Sequence, residues 1–251
     1  MRPVCLVIGA GAGIGGNVGR RFAREGLHAV LCRRTDKEGL DRLVGAIEDD
    51  GGSASGHLLN AIDGGTLESR VEAVEVEVGP IEVAVYNLGA QIGNRTLGDT
   101  SLKAFEMGWR LATFGLFRLA KCVCPRMAER GHGTLLVTSA TAAMRGNPGQ
   151  HSHAAAMGGR RLLCQTLNAE YGPKGVHVAH IVVDGAVDAP DTLGKMLGPD
   201  RYRELRETRG DGLLRPDKIA DTFWHVAQQH RSAWTHELDL RPYTDSPWWN
   251  G

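Results

Sequence analysis

A chain of 251 residues, 42% of them hydrophobic, is long enough for one α/β domain with a full core. Basic and acidic residues balance at 29 each with no block of like charge, which argues against a nucleic-acid or membrane partner. The apolar runs are far too short to span a bilayer, and Met1-Arg2-Pro3-Val4 leads into the first strand without room for a signal peptide, so the expectation is a cytoplasmic protein whose five cysteines are reduced thiols.

Val4-Cys5-Leu6-Val7-Ile8 is a short apolar, β-branched run that stops at a glycine-rich turn, Gly9 to Gly16. Asn17 to Glu25 reads as a helix with Gly26 at its C-terminal cap, and His28 to Cys32 as a second strand. Leu40, Leu43, Val44 and Ile47 then stand at helical spacing. His57-Leu58-Leu59 is a weak third strand, Asp63 reads as a helix N-cap, and Leu67, Val71, Val74 and Val78 form the next helical stripe. Ile81 to Val85 is the fourth strand, a long helical region runs from about Leu102 to Arg130, and Thr134 to Thr138 is the fifth strand. A helix covers about His153 to Tyr171, and Val176 to Val183 is the sixth strand. Ile219, Phe223 and Val226 mark a last helix, and Glu237 to Leu240 a last strand. Strands alternate with helices throughout, which predicts a doubly wound, Rossmann-type parallel sheet of seven strands with helices on both faces, in one domain over residues 1–251. Ligands of such sheets bind beyond the carboxyl ends of the strands.

The first strand, turn, helix and second strand form the βαβ unit that binds dinucleotides. A pyrophosphate needs backbone N–H donors and a positive dipole end, which the first turn of a helix supplies, and glycine lets backbone and ligand meet. Two registers fit: Gly11, Gly13 and Gly16 match G-x-G-x-x-G, and Gly9, Gly13 and Gly15 match G-x-x-x-G-x-G. The second starts at the strand end and is preferred. Cys122-Val123-Cys124 falls in a helix, where residues i and i+2 point apart, and His151-Ser152-His153 is discounted likewise, so no metal site is expected.

Gly9-xxx-Gly13-Ile14-Gly15 resembles the fingerprint of the short-chain dehydrogenase/reductase family, with Ile8 where the family usually has Thr. The resemblance runs over nearly the whole chain. It implies a dinucleotide cradle of Gly9, Gly11, Ala12, Gly13, Ile14 and Gly15. After the second strand, Cys32 stands where an NAD-selective fold carries an acid, and Arg33 and Arg34 can pair with a 2′-phosphate. This favours NADP, with NAD possible; two solvated loop arginines are the alternative. The resemblance places Asn60 and Ala61 near the adenine, matches Asn87, Leu88 and Gly89 to the Asn-Asn-Ala-Gly stretch, and sets Val187 at the nicotinamide carboxamide.

The family's catalytic set is Asn, Ser, Tyr and Lys. Ser139 matches the Ser; Ala112 stands for Asn, Ser152 for Tyr and Ala156 for Lys, the Tyr-x-Ala-Ser-Lys stretch falling thirteen residues after Ser139. A Ser hydroxyl reaches less far than a phenol, and proton transfer needs heavy atoms within about 3.2 Å. His151, just before the helix, is the other candidate acid, while His153 is expected to be turned away. The candidate catalytic residues are therefore Ser139, Ser152 and His151. Residues 188–215 resemble the family's substrate lid, and the aromatic tail 241–251 closes a neighbour's pocket or lies on its own domain. A homo-oligomer, tetramer or dimer, is implied through the helices Leu102–Arg130 and His153–Tyr171. The functional expectation is an NADP-preferring oxidoreductase of the short-chain type, acting as a reductase on a small organic substrate with a non-standard proton donor. The alternative is a cofactor-binding protein without redox turnover.

Overall fold

The computed structural model describes residues 2–89 and 95–249. One seven-stranded parallel sheet runs in the order β3-β2-β1-β4-β5-β6-β7, from β1 (Val4–Ile8), β2 (His28–Arg33), β3 (Ser53–Leu58), β4 (Ile81–Tyr86), β5 (Gly133–Ala140), β6 (Val176–Val183) and β7 (Glu237–Leu240). The helices are α1 (Ile14–Arg24), α2 (Lys37–Asp49), α3 (Thr66–Ala73), α4 (Leu102–Trp109), α5 (Gly115–Arg130), α6 (His151–Tyr171), α7 (Lys195–Leu197), α8 (Pro199–Arg209) and α9 (Pro216–Ala227). This is the Rossmann-type arrangement. The chain reverses direction across the sheet between β1 and β4, so the carboxyl ends of those two strands frame the ligand crevice.

The alternation of strand residues builds two cores. Val4, Leu6 and Ile8 face a layer made with Leu67 and Val71 of α3, Leu116 and Val123 of α5 and Cys164 of α6. Cys5 and Val7 face Val18 and Phe22 of α1, Ile47 of α2 and Phe223 of α9. Each layer covers one face of a sheet whose central strands are buried on both sides.

Three sequence expectations change. The third strand covers Ser53–Leu58; its small residues hide the strand pattern, and Gly56 leaves room for Leu40, which a Cβ there would meet at 2.8 Å. Asp63 does not cap α3. Gly65, with φ 83°, precedes that helix, and Asp63 instead accepts from the side chain of Asn60 at 2.9 Å. α6 begins at His151, two residues early. The long helical region is present, but a π-helical turn at Arg110–Phe114 separates α4 from α5. Such a turn frees carbonyls from the regular ladder and often marks a functional site.

Candidate functional site

The turn after β1 is tight for reasons internal to the protein. Gly9 has φ 99°, and its N–H and that of Ala10 both donate to the Cys32 carbonyl, at 2.8 and 2.9 Å. A Cβ on Gly15 would meet the Gly9 carbonyl oxygen at 2.2 Å, and one on Gly16 the Gly11 oxygen at 2.4 Å. Gly13 is opposed by Ala189 at 3.2 Å, from the segment after β6. Gly11 differs: a Cβ there would meet nothing within 4 Å. Ala12 is exposed and Ile14 half-buried. No side chain caps α1 at Gly13, so the positive end of the helix opens onto the crevice. A cradle with an open glycine face and an uncapped helix start fits a dinucleotide pyrophosphate.

Asn87 joins this turn to β4. Its side-chain amide donates to the Gly9 carbonyl at 3.0 Å, and its backbone N–H to Ile8 at 2.8 Å. Leu88 packs on the core beside it, and Gly89 is exposed.

Toward α2 lies a cavity of about 560 Å³ lined by Ala12, Asn17, Arg20, Arg33, Arg42 and Lys195 among others. Arg33 is held by Asp36 at 3.0 Å, whose carboxylate caps α2 through the Gly39 N–H at 2.9 Å. That backbone bond, more than Arg33, holds the Asp36 carboxyl below its usual range. Arg34 is exposed and is not among the lining residues. Arg20, Arg42 and Lys195 were missed in the sequence because they come from three separate helices, α1, α2 and α7. They pair with Asp50 (3.7 Å), Glu38 (3.9 Å) and Asp191 (3.4 Å); the Arg42 and Lys195 pairs are solvent-exposed and weak, while Arg20 Nε is buried.

The turn after β3 is strapped from below. Arg118 of α5, 8% exposed, donates to the carbonyls of Ala61 at 2.9 Å and Asp63 at 2.7 Å and pairs with Glu68. That hydrogen bond lowers the Glu68 carboxyl pKa. Asn60 is thereby fixed at the crevice edge, its carbonyl accepting from Thr66 at 3.0 Å.

At the end of β5 the geometry departs from expectation. Ser139 is buried, and its Oγ lies 4.0 Å from the Met157 sulfur. Ser152 points elsewhere. Its hydroxyl donates to the α4 carbonyls of Ala104 (3.3 Å) and Phe105 (3.2 Å), and a Cβ on Gly108 would meet its Oγ at 2.1 Å. Ala156 lies on the same side, its carbonyl accepting from Thr113 at 2.7 Å. His151 is exposed on the first turn of α6. The residues that share a helix face with Met157 are His153 and Arg160, one turn to either side. Counting thirteen residues from Ser139 fixes a position along the chain, but the helix face decides what meets the strand end. One residue rotates the face by about 100°.

His153 is 9% exposed, and its Nδ1 is buried without a hydrogen-bond partner among the described residues. Burial, with a smaller push from Arg160, lowers its pKa. Arg160 is almost fully buried and donates to Ala112 (2.9 Å), Thr138 (2.5 Å) and Leu88 (2.6 Å). It thus ties the π turn to the ends of β5 and β4. The readable signal was a charged residue inside the buried stripe His153, Met157, Arg160, Cys164.

Beyond β6, Asp184 accepts from Thr141 and faces Arg241 at 3.9 Å. Val187 forms a parallel bridge with Leu214. Within 188–215, Asp188 holds the Tyr202 hydroxyl at 2.5 Å and Arg206 at 3.1 Å. Burial, then Asp188, raises the Tyr202 phenol to about 12. The tail lies on its own domain. Arg145 donates to the Trp248 carbonyl at 3.0 Å, and the Arg241 guanidinium sits 4.4 Å from the Trp249 ring centroid. No group of three or more His, Cys, Asp or Glu among the described residues is placed to hold a metal. No helix among them is long and apolar enough to cross a membrane.

A family model described as short chain dehydrogenase matches residues 3–194. The chain is 31% identical over 242 residues to the short-chain reductase protein NovJ of Streptomyces niveus, covering 93% of this chain and 90% of the relative. It is 28% identical over 241 residues to the 3-oxoacyl-(acyl-carrier-protein) reductase FabG of Thermotoga maritima, covering 94% of each. Among solved structures, a short-chain dehydrogenase from Rhodopseudomonas palustris superposes with a TM-score of 0.80 at 30% identity, covering 96% of this chain and 99% of that one. With a glycine cradle at the sheet's switch point and a match over most of its length, the chain belongs to the short-chain dehydrogenase/reductase family of oxidoreductases, whose members bind NAD or NADP.

Proposed function

We propose that the chain is an NADP-preferring oxidoreductase of a small organic substrate, working with a non-standard proton-transfer group. The observation that carries the cofactor preference is the basic cavity beside the glycine turn, where Arg33, Arg20, Arg42 and Lys195 converge and no acid ends β2. A guanidinium fork matches a 2′-phosphate. α6 holds no Lys and no Tyr before Tyr171, so the family's Tyr–Lys pair is missing here. Residues 188–215 serve as the substrate lid. Exposed Leu102, Phe105, Trp109, Phe117 and Leu162 on α4, α5 and α6 support a homo-oligomer, and five free thiols suit a cytoplasmic setting.

The test is a fluorescence titration of wild type and Arg33→Ala with NADPH and NADH. Losing a charge-assisted contact to the 2′-phosphate removes about 1.5–3 kcal/mol. NADPH should therefore bind wild type roughly ten- to a hundredfold more tightly than NADH, and Arg33→Ala should lose most of that margin. Equal affinities in wild type would overturn the preference.

A further inference from the structure

We propose that His153 is the proton-transfer residue of this site, taking the hydroxyl proton as a base when a secondary alcohol is oxidised. The proposal rests on the oxidoreductase reading above and assigns the group that reading leaves open.

Three observations place the imidazole. Met157, one turn along α6 from His153, lies 4.0 Å from Ser139 Oγ at the carboxyl end of β5, so the face they share looks at the strand end where ligands bind. Ser152, the other residue at hand, is turned into α4, with its hydroxyl satisfied by Ala104 and Phe105 and Gly108 leaving space for it. The third is the ring itself, buried with Nδ1 unpartnered among the described residues. A buried polar atom left without a partner is unfavourable, and such atoms mark places where a ligand or water completes the network.

The surroundings set the resting form of the imidazole. α6 packs against α4, the π turn, α5, β5, the turn Thr141–Ala143, β6 and the turn Gly172–Lys174 at its own far end. From all of these, the influences on the His153 proton are burial and the Arg160 guanidinium, and both lower its pKa. Residues 90–94, Ala-Gln-Ile-Gly-Asn, contain no titratable side chain. The imidazole is neutral at pH 7. A neutral imidazole accepts a proton readily but donates one only by becoming an anion. In the forward step the alcohol O–H bond breaks and its proton goes to the imidazole lone pair. The carbinol C–H bond breaks with its electron pair leaving toward the oxidised nicotinamide, and the carbonyl π bond forms. An oxidised nicotinamide held by the glycine turn would take that hydride, and with it the two electrons the substrate loses; His153 is left as imidazolium. Arg160 does not touch the reacting atoms; it adds a smaller push to the burial that disfavours the imidazolium.

The test uses the full chain with ¹⁵N-labelled histidine, His153→Phe identifying the His153 resonances by difference. His153 should titrate with a midpoint below 6.5, and its resonances should shift on adding NADP⁺. A midpoint at or above 6.5, or resonances indifferent to NADP⁺, would overturn the proposal. NADP⁺ titrations separate the two layers of inference. If wild type does not bind NADP⁺, the oxidoreductase reading fails first. If it binds and His153→Phe binds within about threefold, the cradle is intact and the His153 assignment is tested on its own. With saturating NADP⁺ and a panel of secondary alcohols including 1-phenylethanol and cyclohexanol, His153→Phe should lower kcat by about 10²- to 10⁴-fold. Equal kcat in the variant, or an equally large loss in Ser152→Ala, sinks the assignment. His153→Gln serves where the Phe variant does not fold, and the wild-type titration decides where no alcohol turns over.

Discussion

The Arg160 guanidinium stands 5.3 Å from the centroid of the Tyr86 ring and donates to three backbone carbonyls rather than to a carboxylate. Tyr86 in turn donates its hydroxyl to Leu111 in the π turn, and Gly115 makes way for it, since a Cβ there would meet that oxygen at 2.1 Å. The pair clamps the ends of β4 and β5 to the irregular helix beside the crevice. Burial works against the charge on Arg160, so the three carbonyls and the ring face must hold it. Arg160→Leu leaves those carbonyls without their donor and should destabilise the fold by about 2–4 kcal/mol, read by urea unfolding. Arg160→Lys should recover only part, because a point ammonium cannot span three acceptors. A loss under about 0.5 kcal/mol in the Leu variant would show that the clamp is dispensable.

The glycine turn separates packing from ligand contact. Gly15→Ala places a methyl against the Gly9 carbonyl and the Asn87 amide, so stability and NADPH binding should both fall. Gly11→Ala meets nothing in the protein, so stability should stay within about 0.5 kcal/mol. If the pyrophosphate lies against that face, NADPH affinity should nevertheless drop at least tenfold. Thermal unfolding beside a fluorescence titration of both variants checks this. Unchanged affinity in Gly11→Ala would move the phosphate elsewhere.

Much of this was legible in the sequence because the signals are local. Apolar periodicity marks each layer, and the run from Val4 through Gly15 marks the crevice. What was not legible depends on contacts between distant elements. Arg118 and Arg160 read as ordinary helix residues until the sheet brings carbonyls from three segments to each. Lys195 joins Arg33 only when the fold brings α7 beside α1 and α2. The Ser152–His153 choice turned on the direction of a helix face, which spacing from Ser139 does not contain. The third strand was read late, at His57–Leu59, because Gly56 and the serines of Ser53–Leu58 pack without an apolar pattern.

His180 on β6 gives the fold a pH dependence. It is fully buried, with Nδ1 3.0 Å from Glu237, which also pairs with Arg161 at 2.7 Å. Burial outweighs the pull of Glu237 and lowers the imidazole pKa to about 4 from 6.5. The unfolded chain therefore takes up the proton first as pH falls. The stability is fully present above pH 6.5 and is lost as pH falls from 6.5 through about 4. The whole step is on the order of 3 kcal/mol. Urea unfolding at pH 7 and 4.5 should show a smaller decline in His180→Gln than in wild type. Parallel declines would mean that His180 does not set this slope.

The last prediction rebuilds the family's usual chemistry in this pocket. A Tyr at position 152 would drive its ring into α4, where Gly108 already makes way for the Ser hydroxyl. Ser152→Tyr with Ala156→Lys should therefore destabilise the protein without adding activity. His153 and Met157 share the face toward Ser139 at the same four-residue spacing. His153→Tyr with Met157→Lys puts a phenol and an ammonium on that face, where the cation can lower the phenol pKa. Carbonyl reduction with NADPH should rise over wild type by at least tenfold, since general acid help is worth about 10²–10⁴. Each single change should do much less, because the two groups act as a unit. Arg160 works against the inserted Lys by charge repulsion, so the gain should sit at the low end of that range. Measuring NADPH consumption with ketones and aldehydes for both double variants decides the matter. If the 152/156 pair gains activity and the 153/157 pair does not, α6 faces the crevice with the other stripe. If neither gains while NADPH still binds, the pocket is remodelled beyond the two residues, and binding without redox turnover becomes the better account of this chain.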